Sequence, residues 1–485
     1  MLRRLAPISV SVLLMASPAA AQSVLPTDAP AATSPLKEEV STTPLAQLDL
    51  FSPGEPSIAP DAELWKGADI ASLRRALAEI APRKGEAAAN ALAVRLLSTS
   101  ARAPAGAESD PDLAADRVMA LIRLGALDTA SAILARTPGV ASHAKLTRAA
   151  AELALWRGAI AEACALARSA PEGGDQADAL SLRAFCLLQA GKASEAQLAL
   201  DLAGTGDTAA APVIKLLNAA ALGQATGPGL ADSGLSFAVS RAFKLDMAKA
   251  VATATPEALR QIARDEGQSP DIRRDAAAAL LDYGPDMSGA SAQALALPIP
   301  PIPVPTPPNP AKGRRKRAIA EAPPAEPRAQ LLARLYGQLN SASDPAQSAT
   351  AMLAWLKANA GAGFRGASAL VADPLAKLDP ALVPEPDRVW FRLAKAANGQ
   401  DLKAVLDEVK AKPIAQACPP LETARWREIL TALAHGVRGE AALEALTTLK
   451  SPGERDLAAQ VLALTGFQAE AQGVTLDGLL TARAR

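Results

Sequence analysis

Glycine recurs at a fixed interval in one stretch of this chain, and an alanine follows it each time at the same distance. Gly125, Gly158 and Gly191 are 33 residues apart, and Ala130, Ala163 and Ala196 each lie five residues further on. A fixed period of this size marks one supersecondary unit copied along the chain. Such a unit cannot bury its apolar face alone, so copies stack and the fold grows along one direction. The same glycine–alanine pair recurs at Gly399/Ala404, Gly436/Ala441 and Gly466/Ala471, with looser spacings of 37 and 30 residues.

Composition says what the units are made of. Hydrophobic residues are 49% of the 485, aromatics only 3%, and alanine dominates the apolar fraction. Alanine is the best helix former and loses no side-chain entropy. It buries little area per residue, so stability must accumulate over many helix contacts. Strand signals are nearly absent, whereas helix starts and stops are frequent. Ser269-Pro270-Asp271, Thr255-Pro256-Glu257, Asp344-Pro345 and Ser451-Pro452 combine a capping side chain with proline in the first turn. Gly267, Gly284-Pro285 and Gly361 supply stops, and Leu331, Leu335 and Leu339 mark one helix face, joined by Leu332 and Tyr336. Short helices with short turns imply antiparallel neighbours. The expectation is an all-α fold, an α-solenoid of antiparallel helical hairpins.

The repeats read RLGALDTASAILARTP, LWRGAIAEACALARSAP and LQAGKASEAQLALDLAG. Val118, Ala151 and Ala184 lie twelve residues before Ala130, Ala163 and Ala196. Small opposite small lets paired helices approach closely. At these residues the chain resembles the tetratricopeptide repeat, a helix–turn–helix unit of about 34 residues. The match covers 111–210, and the aromatic positions of that repeat are mostly alanine or leucine here. The scaffold is also similar to the α-superhelix of lytic transglycosylases, without their catalytic domain. The resemblance implies a groove lined by the first helix of each unit. Carried onto this sequence, its residues are Arg123, Lys145, Arg148, Glu152, Trp156, Asp178 and Gln189. Mixed charge with a tryptophan suits an extended peptide or a partner helix.

Residues 1–21 carry Arg3 and Arg4, an apolar run over 8–16, and Ala19-Ala20-Ala21 before Gln22. These are the three parts of a secretory signal peptide. The run is too short to span a bilayer, which needs about 20 residues, and no later stretch is long and apolar enough. The expected destination is the bacterial periplasm. Residues 22–60 contain seven prolines from Pro26 to Pro60 and lack periodicity, as in a disordered tether. PIPPIPVPTPPNP at 298–310 favours an extended rod, and Lys312, Arg314, Arg315, Lys316 and Arg317 follow it. This gives an N-terminal helical solenoid over 61–297, a Pro-rich basic linker over 298–326 and a C-terminal helical-repeat domain over 327–485. The basic run reads as a solvated linker or as a contact for an acidic partner.

Motifs for chemistry lack their structural setting. Fifty Lys and Arg balance fifty Asp and Glu, which argues against nucleic acid as a partner. Two histidines, His143 and His435, and three cysteines argue against a metal or haem centre. Glu108-Ser109 is the one dipeptide of the transglycosylase type and stands in a loop. Gly361-Ala362-Gly363-Phe364-Arg365-Gly366 has dinucleotide-binding spacing but follows a predicted helix, where the phosphate cradle needs a strand. Ser142-His143-Ala144-Lys145 has the Ser-x-x-Lys spacing without its companion motifs. No catalytic residue, cofactor or metal is therefore expected, and the chain is read as a non-enzyme. Cys164 and Cys186 fall in consecutive predicted helices of adjacent units. They can form a disulfide in an oxidising compartment or serve as two small buried residues. Cys418 has no evident partner.

The functional expectation is an exported periplasmic scaffold that binds other envelope proteins or extended peptides. Two alternatives share its features: an auxiliary acting at peptidoglycan, and an accessory subunit of a motility or secretion machine.

Overall fold

The computed structural model describes residues 49–53, 62–171, 176–204, 211–286, 288–299, 326–410 and 424–483. Residues 1–21, read as a signal peptide, most of the stretch 22–60 read as a tether, the basic run 312–317 and Cys418 lie outside them. Among the described residues there are 23 α-helices and no strand. The chain is an all-α solenoid of paired helices. α1 (Ile70–Glu79) and α2 (Ala87–Ser98) come first. Three successive hairpins follow: α3 (Pro111–Arg123) with α4 (Leu127–Arg136), α5 (Ala144–Trp156) with α6 (Ile160–Ser169), and α7 (Gln176–Gln189) with α8 (Ala193–Ala203). α9 (Ala211–Ala221), α10 (Gly234–Ala242), α11 (Pro256–Arg264), α12 (Pro270–Leu280) and α13 (Ala290–Leu295) complete the stretch before residue 300. After residue 325 come α14 (Arg328–Ser341), α15 (Pro345–Ala358), α16 (Phe364–Leu370), α17 (Ala372–Lys377), α18 (Arg388–Ala397) and α19 (Leu402–Lys410). The last four are α20 (Ala424–Ala434), α21 (Arg438–Thr447), α22 (Pro452–Leu464) and α23 (Gln468–Arg483).

The periodic glycines make the hairpin turns. Gly125, Gly158 and Gly191 have φ of +79°, +72° and +75°, a conformation that costs other residues about 1–2 kcal/mol. Around Gly125, its own N–H bonds to Ile122 O at 2.9 Å and the next N–H bonds to Leu121 O at 2.9 Å. This crossed pair closes the orphan carbonyls of a helix end. Gly399, Gly436 and Gly466 make the same crossed pair, so the looser second set of glycines builds the same turn. Ala130, Ala163, Ala196, Ala441 and Ala471 are buried behind these turns, as are Val118, Ala151 and Ala184. Ala404 is exposed and departs from the pattern. Thr255, Ser269, Asp344 and Ser451 cap α11, α12, α15 and α22.

One hydrophobic core runs from Phe51 to Leu480, and a second fills the space among α5–α10. Helices before residue 300 and after residue 325 share the first core. α12 and α13 pack on α14, and Arg328 at the start of α14 forms a two-pronged ion pair with Asp282, with contacts of 2.8 and 3.3 Å. Arg274 of α12 is buried and donates to Pro298 O at 2.7 Å, pinning the chain where the proline run begins.

The first helices also grip the last. α1 packs on α21, and α2 packs on both α21 and α23. Gly439 permits the approach: a Cβ there would lie 2.7 Å from the Trp65 ring and 2.6 Å from Leu64 O. The seam is unusually polar for an interior. Glu440 accepts the Asp69 N–H at 2.7 Å, and Arg83 donates to Thr447 O at 2.6 Å. Arg455 pairs with Glu86, Arg425 with Glu444 at 2.5 Å, Arg95 with Glu470, and Arg365 with Asp477.

Residues 49–53 fall within the stretch read from sequence as tether, yet they are docked: Leu50 and Phe51 are buried. The two apolar side chains outweigh the proline-rich composition around them.

Candidate functional site

The groove residues inferred from the repeat sit on α3, α5 and α7, the first helices of consecutive hairpins. The structure brings three of them together. Lys145, Arg148 and Asp178 line a cleft of about 70 Å³ between α5, α6 and α7. Its walls are small or apolar: Ala144, Ala151, Leu166, Ala167, Ala170, Pro171, Ala179 and Leu182, with the hydroxyl residue Thr147. Alanine at these positions follows from the close helix approach that the repeat demands, and the same small side chains leave the cleft open.

Charge in the cleft is paired across helices. Lys145 Nζ lies 2.9 Å from the Asp112 carboxylate of α3. Arg148 forms an ion pair with Asp178 of α7. The four side chains keep 26–47% of their surface, so both pairs stay hydrated. Such pairs contribute about 0–1 kcal/mol each to stability. Breaking either pair therefore costs little.

The other four positions have different surroundings. Trp156 is 4% exposed and stacks on Phe237 of α10, with ring centroids 5.4 Å apart. Glu152 accepts the Gly234 N–H at the start of the same helix. Burial pushes the Glu152 carboxyl above the ordinary range, while the Gly234 N–H and Arg148 pull it back. An open groove at Glu152 and Trp156 is therefore corrected: α10 lies over both. The physical cause is Phe237, which offers Trp156 an apolar face that no solvent contact can match. Arg123 donates to Leu77 O and to Ile80 O, closing the C-terminal end of α1, and burial lowers its pKa. Gln189 is exposed at the end of α7, away from the cleft.

Cys164 on α6 and Cys186 on α7 are joined as a disulfide, with Cα atoms 5.6 Å apart. The bond ties the two helices that form one side of the cleft. Position in adjacent units was the sequence signal for it.

The motifs set aside on sequence grounds have structural surroundings of their own. Phe364 and Gly366 begin α16 after α15, with no strand before them. A Cβ on Gly366 would lie 2.5 Å from Leu281 O, so the glycine serves helix approach. Lys145 of the Ser-x-x-Lys spacing is held by Asp112. Glu108 Oε2 accepts the Gly106 N–H within its own loop at 2.8 Å. His435 contacts Thr431 O at 2.8 Å through Nδ1. Among the described residues no group of three or more His, Cys, Asp or Glu side chains is placed to hold a metal ion. No helix among them is long and apolar enough to cross a membrane.

Sequence reasoning missed the polar seam and the two buried arginines, Arg117 and Arg274. Arg117 carries one usable signal, because it interrupts the buried run Leu113, Ala114, Ala115, Val118 on α3. No family model matches the chain, no curated protein matches its sequence, and no solved structure matches its fold.

Proposed function

We propose that this protein is an exported, tetratricopeptide-like scaffold of the bacterial periplasm that binds extended segments of other envelope proteins and does no catalysis itself. One observation carries this reading. The cleft between α5, α6 and α7 combines a small-residue floor, two leucines and a proline, and three charged groups of both signs. That combination suits main-chain contact with a bound segment, with side-chain charges setting its register. The repeat turns at Gly125, Gly158 and Gly191 support the tetratricopeptide likeness. The residue pattern of 1–21 supports export.

The test is site-specific photo-crosslinking from Ala179 in living cells, alongside osmotic-shock fractionation. The expected result is release with the periplasmic fraction and a discrete crosslinked protein that disappears in Arg148→Glu. Retention in the cytoplasm, or clearing of a murein gel by the purified chain, overturns the proposal.

A further inference from the structure

Residues 49–53, Asp-Leu-Phe-Ser-Pro, form neither helix nor strand and are held as a short peptide ligand is held. Leu50 enters an apolar cluster with Ala114, Ala115 and Leu146. Phe51 stands edge-on to Trp65, with ring centroids 6.2 Å apart. The Leu50 N–H donates to Glu108 O at 2.7 Å, and Ser52 Oγ accepts the Ala103 N–H at 2.9 Å. Above the Phe51 ring lies the Arg117 guanidinium, 5.0 Å from its centroid. Arg117 is 1% exposed, and its four acceptors are main-chain carbonyls: Leu97 O at 2.7 Å, Thr99 O at 2.6 Å, Pro53 O at 3.2 Å and Phe51 O.

Two of those acceptors belong to the docked segment. A buried guanidinium needs its hydrogen bonds, because an unsatisfied buried charge is expensive. When the segment leaves, Arg117 loses half its acceptors and two apolar pockets open. The site therefore favours an occupant. What it holds is two adjacent apolar side chains, two carbonyls, one N–H and the Ser52 hydroxyl, in a bend that Asp49 Oδ1 fixes by accepting the Phe51 and Ser52 N–H groups at 3.0 and 2.8 Å. A segment with the sequence Asp-Leu-Phe-Ser offers these.

We propose that Trp65, Leu97, Thr99, Ala103, Arg117 and Leu146 form a receptor for a bent Asp-Leu-Phe-Ser peptide, which the chain fills with its own residues 49–53 until a partner's segment displaces them. The site is separate from the α5–α7 cleft and does not depend on it. Its resident has the advantage of attachment. Only residues 54–61 separate it from Ala62, whose carbonyl accepts the Arg102 N–H beside the Ala103 amide that holds Ser52. A short tether gives a millimolar effective concentration, so a trans peptide competes poorly with the intact chain.

The test uses the full chain with a protease site placed in 54–61 and cut after folding. The probe is a fluorescein-labelled peptide with the sequence of residues 47–53. The cut chain is expected to keep its N-terminal piece through gel filtration, to exchange it for excess probe, and to ignore a probe with Ala-Ala in place of Leu-Phe. The uncut Phe51→Ala chain is expected to take up the probe about tenfold or more better than the uncut parent. Concentration-dependent dimers lost in Phe51→Ala also support the site, with a second copy as the partner. Loss of helical circular dichroism on cutting, or a folded cut chain that takes up no probe, overturns the proposal. Neither result bears on crosslinking from Ala179.

Discussion

Asp477 on α23 accepts a hydrogen bond from the main-chain N–H of Ala88, 2.8 Å away, at the start of α2. The residue at the head of α2, Glu86, makes no capping bond of its own. A carboxylate 389 positions along the chain thus does the work of a cap. Arg365 pairs with the same carboxylate and also donates to Gly473 O at 3.1 Å. Asp477→Ala leaves a largely buried guanidinium unpaired and an N–H without its acceptor. The expected loss is about 3–5 kcal/mol, the range for breaking a buried pair. Urea unfolding of the purified chain measures it; a loss below 1 kcal/mol contradicts the role given to Asp477.

The same seam makes stability depend on pH. Burial pushes the Glu86 carboxyl up to about 7, with Arg455 opposing the shift, and pushes Glu444 up to about 7, with Arg425 and Arg75 opposing. Both lie above the ordinary value of 4.5, so the folded chain keeps these protons where the unfolded chain has released them. The stabilisation is complete below about pH 4.5 and is lost as pH rises towards 7. The unfolding free energy from urea titration should be higher at pH 5.5 than at pH 7.5, by about 2 kcal/mol for each group. Glu86→Gln should flatten the slope, and an unchanged slope in that variant removes Glu86 as its source.

Reduction should loosen α6 from α7. Cys164 and Cys186 enclose a separation of 22 residues. Closing a loop of that size in the unfolded chain is worth about 3 kcal/mol. Hydrogen exchange in dithiothreitol should rise in α6 and α7 first and leave α22 and α23 protected. Uniform acceleration across all helices would show that the bond acts on the whole fold instead.

Trp156 and Arg148 should separate stability from binding. Trp156→Ala empties a buried stack against Phe237 and should cost about 3–5 kcal/mol. Arg148→Ala breaks a hydrated ion pair and should cost about 1 kcal/mol or less. Crosslinking at the α5–α7 cleft should nevertheless fall in Arg148→Ala. Thermal unfolding and the crosslink yield, measured on both variants, decide this.

The contrast between those two residues shows what the sequence makes legible. A glycine five residues before an alanine locates the hairpin turns, because left-handed backbone and close helix packing are local demands. Caps such as Ser269 and Asp344 are legible for the same reason. Burial of Trp156 depends on Phe237, 81 positions away, and nothing in the spacing of either residue points to the other. The seam is hidden more deeply. Glu86, Glu440, Glu444 and Asp477 look like ordinary solvated charges on helix faces, and only the meeting of distant helices buries them. Phe51 was obscured by its composition: one short apolar pair amid prolines reads as loop until its pocket exists.

Because the opening helices of this array hold the closing ones, its length is not free to drift. An open solenoid gains or sheds a unit at little cost to the rest. Here a duplicated hairpin would prise Ala88 from Asp477, so evolution can tune the units but cannot easily recount them.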